Sequence, residues 1–302
     1  MNAVGPFGAV MLNQLFINGL IAGSIYSLVA VGFALIYQTA RFFHFAHGAV
    51  YTFGAYFAYL FYIQLGFDRI SAFPLACLAT MLLGAALELG VYKPMRKRKA
   101  TDLTLLIASL GLYIVLQNVV SMAWGDDTRT MRTGQVVEGH EFLGARITDI
   151  QIAMIVASIL LIALVSLIMK QMRFGKALRA SANDAQLTRL CGINTDRYIL
   201  YAFAIGSFLA AIAAIMISFD TDMTPTMGFN ALVMAVAALI VGGINSLPGA
   251  ALGGSLIGLA QNLGVYWLPS KWQDTIAFAI LILFLLFRPY GILGKKPQKA
   301  HI

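Results

Sequence analysis

The chain has 302 residues, of which 60% are hydrophobic and only 11% are charged. Ordinary soluble domains carry roughly 25% charged residues, so the composition excludes a soluble domain and indicates an integral membrane protein. The net charge of +8 fits basic loops beside anionic lipid, and nothing else in the sequence indicates nucleic-acid binding. Cys77 and Cys191 lie in unrelated contexts, so neither a disulfide framework nor a metal pair is predicted.

Uncharged runs long enough to cross a bilayer recur along the chain. A membrane helix needs about 20 predominantly apolar residues, and residues 223–270 are divided in two because glycines and Pro248 interrupt them. We predict an all-α polytopic membrane protein with eight to nine transmembrane helices and a broken or short-helix region around 242–254. No basic residue precedes the first run, so no cleavable signal peptide is predicted. The predicted spans are Leu12–Gln38, Phe42–Phe67, Ile70–Leu87, Leu103–Gly125, Ile150–Met169, Tyr198–Phe219, Asn230–Val241, Ala250–Leu268 and Thr275–Phe287.

The loops between these spans alternate in charge. Cytoplasmic loops collect Lys and Arg, and most of the basic residues lie in alternate loops. This pattern predicts an outside N-terminus and a cytoplasmic C-terminus. The longest outer loop, 125–149, suggests a binding role by its length, with a solvated cap as the alternative. The predicted cytoplasmic basic residues are Arg41, the cluster 93–99, the insert 170–197 and the tail 288–299, and the predicted outer ones are Arg69, Arg129, Arg132, Arg146 and Lys271.

Small residues and isolated polar residues characterise the spans. Glycine and alanine at about four-residue spacing, as in "NGLIAGSIYSLVAVG" and "GGSLIGLAQNLG", predict close helix packing in lipid. Polar groups in spans tend to face the bundle interior or an aqueous path, although an interhelical hydrogen bond is the alternative for each. The candidates for a translocation path are Asn18, His47, Gln117, Asn118, Asn230 and Asn262.

Three further patterns bear on chemistry. Glu88 lies close to Lys93 and Arg96, which predicts a local ion pair at the membrane boundary. The histidines of "HFAHG", residues 44–48, share a helix face, but no Cys, Asp or Glu of the same span completes a metal site. We expect them instead to begin a span, where Gly48 allows close packing. GxSxG, HExxH and Walker A motifs do not occur, so the chain is not predicted to be an enzyme.

The insert "RFGKALRASANDAQLTRLCGIN", residues 173–194, differs from its apolar surroundings. Residues 176–190 favour a helix, and Gly192 is the predicted C-terminal stop. Leu178, Ala182 and Ala185 share one face, which is mostly alanine. A lipid-surface helix would carry Trp, Phe and Leu there, so we expect docking to a soluble partner, with the lipid surface as the alternative.

The insert resembles the cytoplasmic coupling loop of ABC-importer permeases, and more narrowly of LivH-like subunits of branched-chain amino-acid importers. The stretches "NGLIAGSIYSLVAVGFALIY", "HFAHGAVYTFGAY", "GGINSLPGAALGG" and "FRPYGILG" extend the resemblance over nearly the whole chain, as a single permease domain, 1–302. Two positions depart from the family pattern: His44 stands where Asn is usual, and Asn245 replaces a glycine.

The resemblance implies a working assembly in the bacterial inner membrane. A second permease subunit, usually a different chain, completes the pore, two cytoplasmic ATPases use ATP and Mg²⁺, and a periplasmic binding protein delivers substrate. This chain would bind no cofactor of its own. Two alternatives stay open: urea, short amides or another small solute as cargo, and an ATP-independent secondary transporter or channel. The residues implied in ATPase coupling are Gly175, Lys176, Ala177, Leu178, Arg179, Ala180, Ser181, Ala182, Asn183, Asp184 and Gly192.

Overall fold

The structure is a computed structural model that describes residues 6–132, 139–142 and 144–294, with the side chains at 6, 7 and 9 left out. The described chain is a bundle of helices with one small β-hairpin, so the predicted all-α polytopic fold is confirmed. The helices are α1 Pro6–Ala40, α2 Ala46–Tyr59, α3 Arg69–Leu87, α4 Lys93–Lys97, α5 Asp102–Trp124, α6 Asp149–Gln171, α7 Arg173–Asn183, α8 Ala185–Leu190, α9 Thr195–Asp220, α10 Met227–Gly242, α11 Leu247–Gly264 and α12 Gln273–Phe287. Single π-helical turns, Leu60–Gln64 and Glu88–Tyr92, extend α2 and α3; a 3₁₀ turn, Ser270–Trp272, precedes α12; the strands are β1 His140–Phe142 and β2 Ala145–Ile147.

The number of membrane-crossing helices is lower than the sequence predicted. Six described helices are long and apolar enough to cross a membrane, and α10 with α11 adds a seventh if this bent pair is one span. The predicted span Phe42–Phe67 corresponds to α2 and its π turn, which are not among the six. Nearly all of α2 is buried against other helices. The side chains of α2, including the polar ones of His47 and Thr52, therefore contact protein rather than lipid.

Helix α1 lies at the centre of the bundle. Of its most apolar stretch 78% is buried, against 6% for that of α12. Glycines bring its backbone against two neighbours: a Cβ on Gly32 would lie 2.8 Å from the Gly206 carbonyl of α9, and one on Gly254 would lie 2.4 Å from Ser27 N. The predicted close packing of small residues is thus confirmed, and it joins α1 to α9 and α11.

The predicted break around 242–254 is confirmed in part of that range. The chain bends by 117° between α10 and α11, and Gly243 has φ of +113°, a conformation that disfavours residues with a Cβ. Ser246 then begins α11 by accepting a hydrogen bond from Gly249 N at 3.1 Å. Residues 247–254 are helical rather than broken, and their glycines serve packing: Gly253 lies against α10 and Gly254 against α1.

The loops group at two ends of the bundle. At one end Gln14 bonds the backbone of Arg146, and Arg132 bonds Asp222 at 2.8 Å. At the other end the Arg41 guanidinium donates to the Ala182 carbonyl. Gln14 and Arg41 are separated by 27 residues of α1 and its end, roughly 40 Å along a helix. These groupings agree with the division of loops that the charge pattern predicted.

The loop 125–149 carries the β-hairpin, in which His140 pairs with Ile147. Met131 and Ala145 are buried, whereas Phe142 is 59% exposed. A backbone bridge joins Arg129 to Met223. The described part of this loop is therefore anchored on the bundle, and it leaves Phe142 and neighbouring polar residues exposed. Residues 133–138 and 143 lie outside the described chain.

Candidate functional site

The insert between α6 and α9 forms two helices rather than the one that the sequence predicted. Helix α7 ends at Asn183, because Asp184 adopts an extended conformation with φ of −148°. The Asp184 carboxylate then accepts hydrogen bonds from Gln186 N and Leu187 N, both at 2.9 Å, and so begins α8. Gly192, with φ of +80°, follows α8 as the predicted stop.

The inner face of α7 packs on the chain's own bundle. Gly175, Leu178, Ser181 and Ala182 are all buried, so the expectation that the face with Leu178 and Ala182 meets a partner is wrong. The sequence shows an amphipathic helix but does not show which protein covers its apolar face. Here α1, α6 and α9 cover it.

Gly175 permits the sharp turn between α6 and α7. A Cβ at this position would lie 2.4 Å from both Cα and O of Met169, and 2.5 Å from the Ile168 carbonyl. All three contacts are with backbone, which cannot move as a side chain can. A glycine is therefore required where α7 folds back onto the end of α6.

The exposed surface of the insert is basic on α7 and apolar on α8. Lys176, Arg179 and Asn183 face outward on α7. On α8, Leu187 is 59% and Leu190 is 85% exposed. Ala177 and Ala180 lie at the edge, half-buried. Large exposed leucines beside cations form the surface of the insert that the rest of the described chain leaves open.

The six polar candidates for a translocation path do not form one cluster. Asn18 accepts a hydrogen bond from Gln14 at 3.0 Å, and Asn262 donates to the Gly258 carbonyl of its own helix at 2.9 Å. His47 is fully buried. Asn18 and Asn262 are occupied by hydrogen bonds within their own helices and His47 by packing, rather than by the interhelical hydrogen bonds that the alternative interpretation predicted.

Asn118 and Asn230 are exposed and Gln117 is half-buried, so these three lie at or near the surface of the described bundle. Tyr113 of α5 and Phe229 of α10 are in ring contact, with centroids 5.9 Å apart. Gln117 is one turn after Tyr113, and Asn230 directly follows Phe229. Asn118 and Asn230 are exposed, and the Asn118 amide bonds the Ile114 carbonyl of its own helix at 2.7 Å. We call Tyr113, Gln117, Asn118, Phe229 and Asn230 the α5–α10 face.

Polar side chains on an apolar helix surface are unfavourable in contact with lipid. Insertion of polar groups in hydrocarbon is costly, and such groups face a bundle interior or a water-filled path. Only 22% of the most apolar stretch of α5 is buried within the described chain. The α5–α10 face therefore has the character of a surface that another protein surface or an aqueous path completes.

The histidine motif forms a buried aromatic cluster at the beginning of α2. The His44 and His47 ring centroids are 6.0 Å apart, and His44 Nδ1 is 2.9 Å from the Tyr92 hydroxyl. A Cβ on Gly48 would lie 2.7 Å from the Gly228 carbonyl of α10. As predicted, Gly48 allows close packing; the histidines stand where helix α2 begins, but α2 is not among the described helices that are long and apolar enough to be a span. No group of three or more metal-ligating side chains lies in the described residues.

Glu88 forms the predicted ion pair. Its carboxylate, which is fully buried, accepts two hydrogen bonds from Arg96, one of them 3.0 Å long. The π-helical turn Glu88–Tyr92 between the two residues belongs to the same long span. The bidentate geometry compensates the buried carboxylate.

The connector 41–45, between α1 and α2, makes contacts that sequence reasoning did not predict. Arg41 adopts φ of +63°, in the left-handed region. The Ser109 hydroxyl of α5 donates to the Phe43 carbonyl and accepts from Phe45 N, both at 3.1 Å. The available signal was Arg41, a basic residue directly after a long apolar run. It was used only to predict on which side of the membrane its loop lies.

Comparison with known proteins identifies the family. A profile of the family described as branched-chain amino acid transport system / permease component matches residues 15–285. The chain is 36% identical over 295 residues to the high-affinity branched-chain amino acid transport system permease protein BraD of Pseudomonas aeruginosa, covering 93% of this chain and 95% of BraD. It is also 36% identical over 297 residues to the corresponding protein LivH of Escherichia coli K12, covering 94% of this chain and 96% of LivH.

A solved structure shares the architecture. PsaBC from Streptococcus pneumoniae, in complex with a Fab, superposes with a TM-score of 0.51 over 93% of this chain and 92% of that chain. The sequence identity is 15%, so this likeness concerns the fold alone. The sequence matches carry the assignment: the chain belongs to the family of permease components of branched-chain amino acid transport systems.

Proposed function

We propose that this chain is a permease subunit of an ATP-driven importer that moves branched-chain or related amino acids across the inner membrane. The observation that carries the proposal is the family match over residues 15–285. The relatives BraD and LivH, named as high-affinity branched-chain amino acid permeases, support the class of cargo. The N-terminus lies outside and the C-terminus in the cytoplasm, which the concentration of Lys and Arg at the end that holds Arg41 and the insert supports.

The insert is the proposed docking site for the partner ATPases. Its inner face is anchored on α1, α6 and α9, while Lys176, Arg179, Leu187 and Leu190 face outward. The exposed apolar and basic surface suits a groove on another protein. ATP and Mg²⁺ are used in those partners, and movement of the ATPases acts on α7 as a lever on the bundle.

The α5–α10 face is the proposed wall of the translocation path. A second permease subunit, a different chain, completes this wall, since the polar groups Asn118 and Asn230 need water or protein beside them. A periplasmic binding protein delivers the solute at the end that carries the β-hairpin. In this arrangement Asn118 and Asn230 contact solute or water rather than lipid.

Ion-coupled transport without an ATPase fits the acidic residues of the described spans less well than ATP-driven import does. Proton or ion coupling uses ionisable groups within the membrane. Glu88, the one acid in the interior of a described candidate span, is already paired with Arg96. That pairing leaves the described spans without an interior carboxylate available for an ion.

Reconstitution of the complete complex tests the proposed function. The permease pair, the two ATPases and the binding protein are placed in liposomes, and ATP hydrolysis and uptake are measured with leucine, isoleucine or valine. We expect both rates to rise when the binding protein is loaded, and this chain alone to hydrolyse no ATP. Uptake by this chain alone, driven by an ion gradient, would overturn the proposal.

The cargo is tested separately on the binding protein. Thermal unfolding of that protein is measured with leucine, isoleucine, valine, urea and acetamide. An increase in Tm with the amino acids only supports the proposed cargo. An increase in Tm with urea or acetamide alone would identify a small amide as the cargo and would not contradict the proposed importer function.

A further inference from the structure

The guanidinium of Arg41 links the end of the central helix to the coupling insert. Arg41 directly follows α1, and its guanidinium donates a hydrogen bond to the Ala182 carbonyl in the last turn of α7. A residue with a Cβ adopts the left-handed conformation, here φ of +63°, only when its surroundings hold it there. The hydrogen bond to α7 is one such constraint.

The Ala182 carbonyl needs a partner of this kind. The amide that would complete the helical hydrogen bond, Gln186 N, donates instead to the Asp184 carboxylate at 2.9 Å. The carbonyls at a helix C-terminus also carry partial negative charge, which a cation stabilises. Arg41 thus fixes the C-terminal end of α7, while the close approach at Gly175 fixes its N-terminal end on α6.

The connector beyond Arg41 is held by the helices of the proposed path. Phe42 is 2% exposed and His44 is fully buried. Ser109 of α5 bonds the backbone of Phe43 and Phe45, and the following helix α2 touches α10 where Gly48 meets Gly228. A movement of Arg41 therefore reaches both α5, which carries Asn118, and α10, which carries Asn230.

We propose that Arg41 is a positioning residue that transmits movement of the coupling helix α7 through the connector 41–45 to the α5–α10 face. The proposal rests on the proposed function, because it assigns to Arg41 a step between ATP hydrolysis and solute movement. It predicts that loss of the guanidinium separates the two activities while the subunits still assemble.

The test uses the complete complex in liposomes, with the variants Arg41→Gln, Arg41→Lys and Arg41→Gly. Arg41→Gln removes the charge and the guanidinium donor, Arg41→Lys retains a cation, and Arg41→Gly also removes the strain of the left-handed conformation. The matched control is Arg98→Gln, because Arg98 is an exposed arginine with no side-chain hydrogen bond or ion pair among the described residues. The measured quantity is solute transported per ATP hydrolysed, with loaded binding protein.

We expect this ratio to fall about tenfold in Arg41→Gln and Arg41→Gly, since a hydrogen bond to a charged group changes an equilibrium by about that factor. Arg41→Lys should retain part of the ratio, and Arg98→Gln all of it. Arg41→Gly should be at least as resistant to thermal unfolding as Arg41→Gln, which separates coupling from stability.

Two results overturn the proposal: an unchanged ratio in both Arg41→Gln and Arg41→Gly, or failure of both variants to assemble, which would make Arg41 a stabilising residue only. Failure of the proposed function is distinguishable from either result. In that case the unmodified complex itself shows no hydrolysis stimulated by the binding protein.

Discussion

Gly23 and Gly258 pack backbone against backbone where α1 crosses α11. A Cβ on Gly258 would lie 2.3 Å from Gly23 N and 2.4 Å from Gly23 Cα, and a Cβ on Gly23 would lie 2.9 Å from Ser255 Cα. In lipid, helix association depends on such close packing rather than on exclusion of water. The central helix is thus held by contacts that admit no side chain on either partner.

Substitution of Gly258 by alanine should destabilise the bundle. The added methyl group meets backbone that cannot move aside, and overpacking of this kind costs about 1–3 kcal/mol. Gly111→Ala is the control, because a Cβ there meets nothing within 4 Å and alanine favours a helix over glycine by about 0.5–1 kcal/mol. Thermal unfolding in detergent should show a lower Tm for Gly258→Ala only; equal Tm values would contradict the packing argument.

The buried Glu88–Arg96 pair should show strong coupling in a double-mutant cycle. Arg96→Met leaves the fully buried Glu88 carboxylate without its partner, a change that costs about 3–5 kcal/mol. Adding Glu88→Gln to that variant removes the unpaired charge and should restore most of the stability. Denaturation of the purified protein measures each corner of the cycle. Additive effects of the two substitutions would show that the pair does not act as a unit.

Leucine at Asn118 or Asn230 should slow transport without preventing assembly. Each substitution removes a polar group from the α5–α10 face, and loss of one hydrogen bond to solute or water corresponds to about a tenfold change at most. Ile114→Leu is the matched control, since Ile114 is 59% exposed one turn before Asn118 and carries no polar group. Uptake of labelled leucine by the reconstituted complex is the measurement. Unchanged uptake in both asparagine variants would show that the translocation path does not run along the α5–α10 face.

The contact between Arg132 and Asp222, which helps to anchor the loop 125–149, should be independent of pH over the neutral range. The hydrogen bond from Arg132 lowers the pKa of Asp222 below its ordinary value, which is about 3.9 in unfolded chains. A carboxylate with a lowered pKa contributes its stabilisation above the unfolded pKa and loses it as pH falls through the folded pKa. The contact between Arg132 and Asp222 therefore persists from pH 5 to 8, within which neither state changes protonation.

Trypsin cleavage after Arg132 measures this anchoring. Asp222→Asn should accelerate the cleavage relative to the unmodified protein, by the same factor at pH 6, 7 and 8. Arg69→Lys serves as a control at the same end, because its contacts are with Tyr62 and Phe219 and not with the loop. A factor that changes with pH in this range would assign the anchoring to another titrating group.

The sequence predicted the features that depend on local chemistry. The apolar runs predicted the spans of α1, α3, α5, α6 and α9 closely, and the basic loops predicted which loops meet at each end. The Glu88–Arg96 pair followed from proximity in the sequence, since Arg96 lies only eight residues after Glu88 and its long side chain can span about two helical turns. Asp184, by contrast, was grouped with a continuous helix, although Asp is a strong N-cap residue.

The features that depend on neighbouring helices could not be predicted in the same way. The small-residue face of α7 suits any groove, and only the packed structure shows that α1, α6 and α9 provide it. Polar residues were selected by depth, which does not distinguish the occupied amide of Asn262 from the exposed one of Asn230. The burial of α2 likewise depends on the helices around it, so its apolar length overstated the number of spans.

The break at Gly243 has a consequence for the order in which the protein is made. The carbonyls of Val241 and Gly242 accept hydrogen bonds from Ile292 N at 2.9 Å and Leu293 N at 3.0 Å. The last turn of α10 is therefore completed by a segment that leaves the ribosome roughly fifty residues later. During synthesis α10 and α11 can enter the membrane, but the end of α10 keeps open carbonyls until α12 has been inserted and 290–294 has folded back. Completion of the α10 terminus therefore waits until translation has passed residue 293.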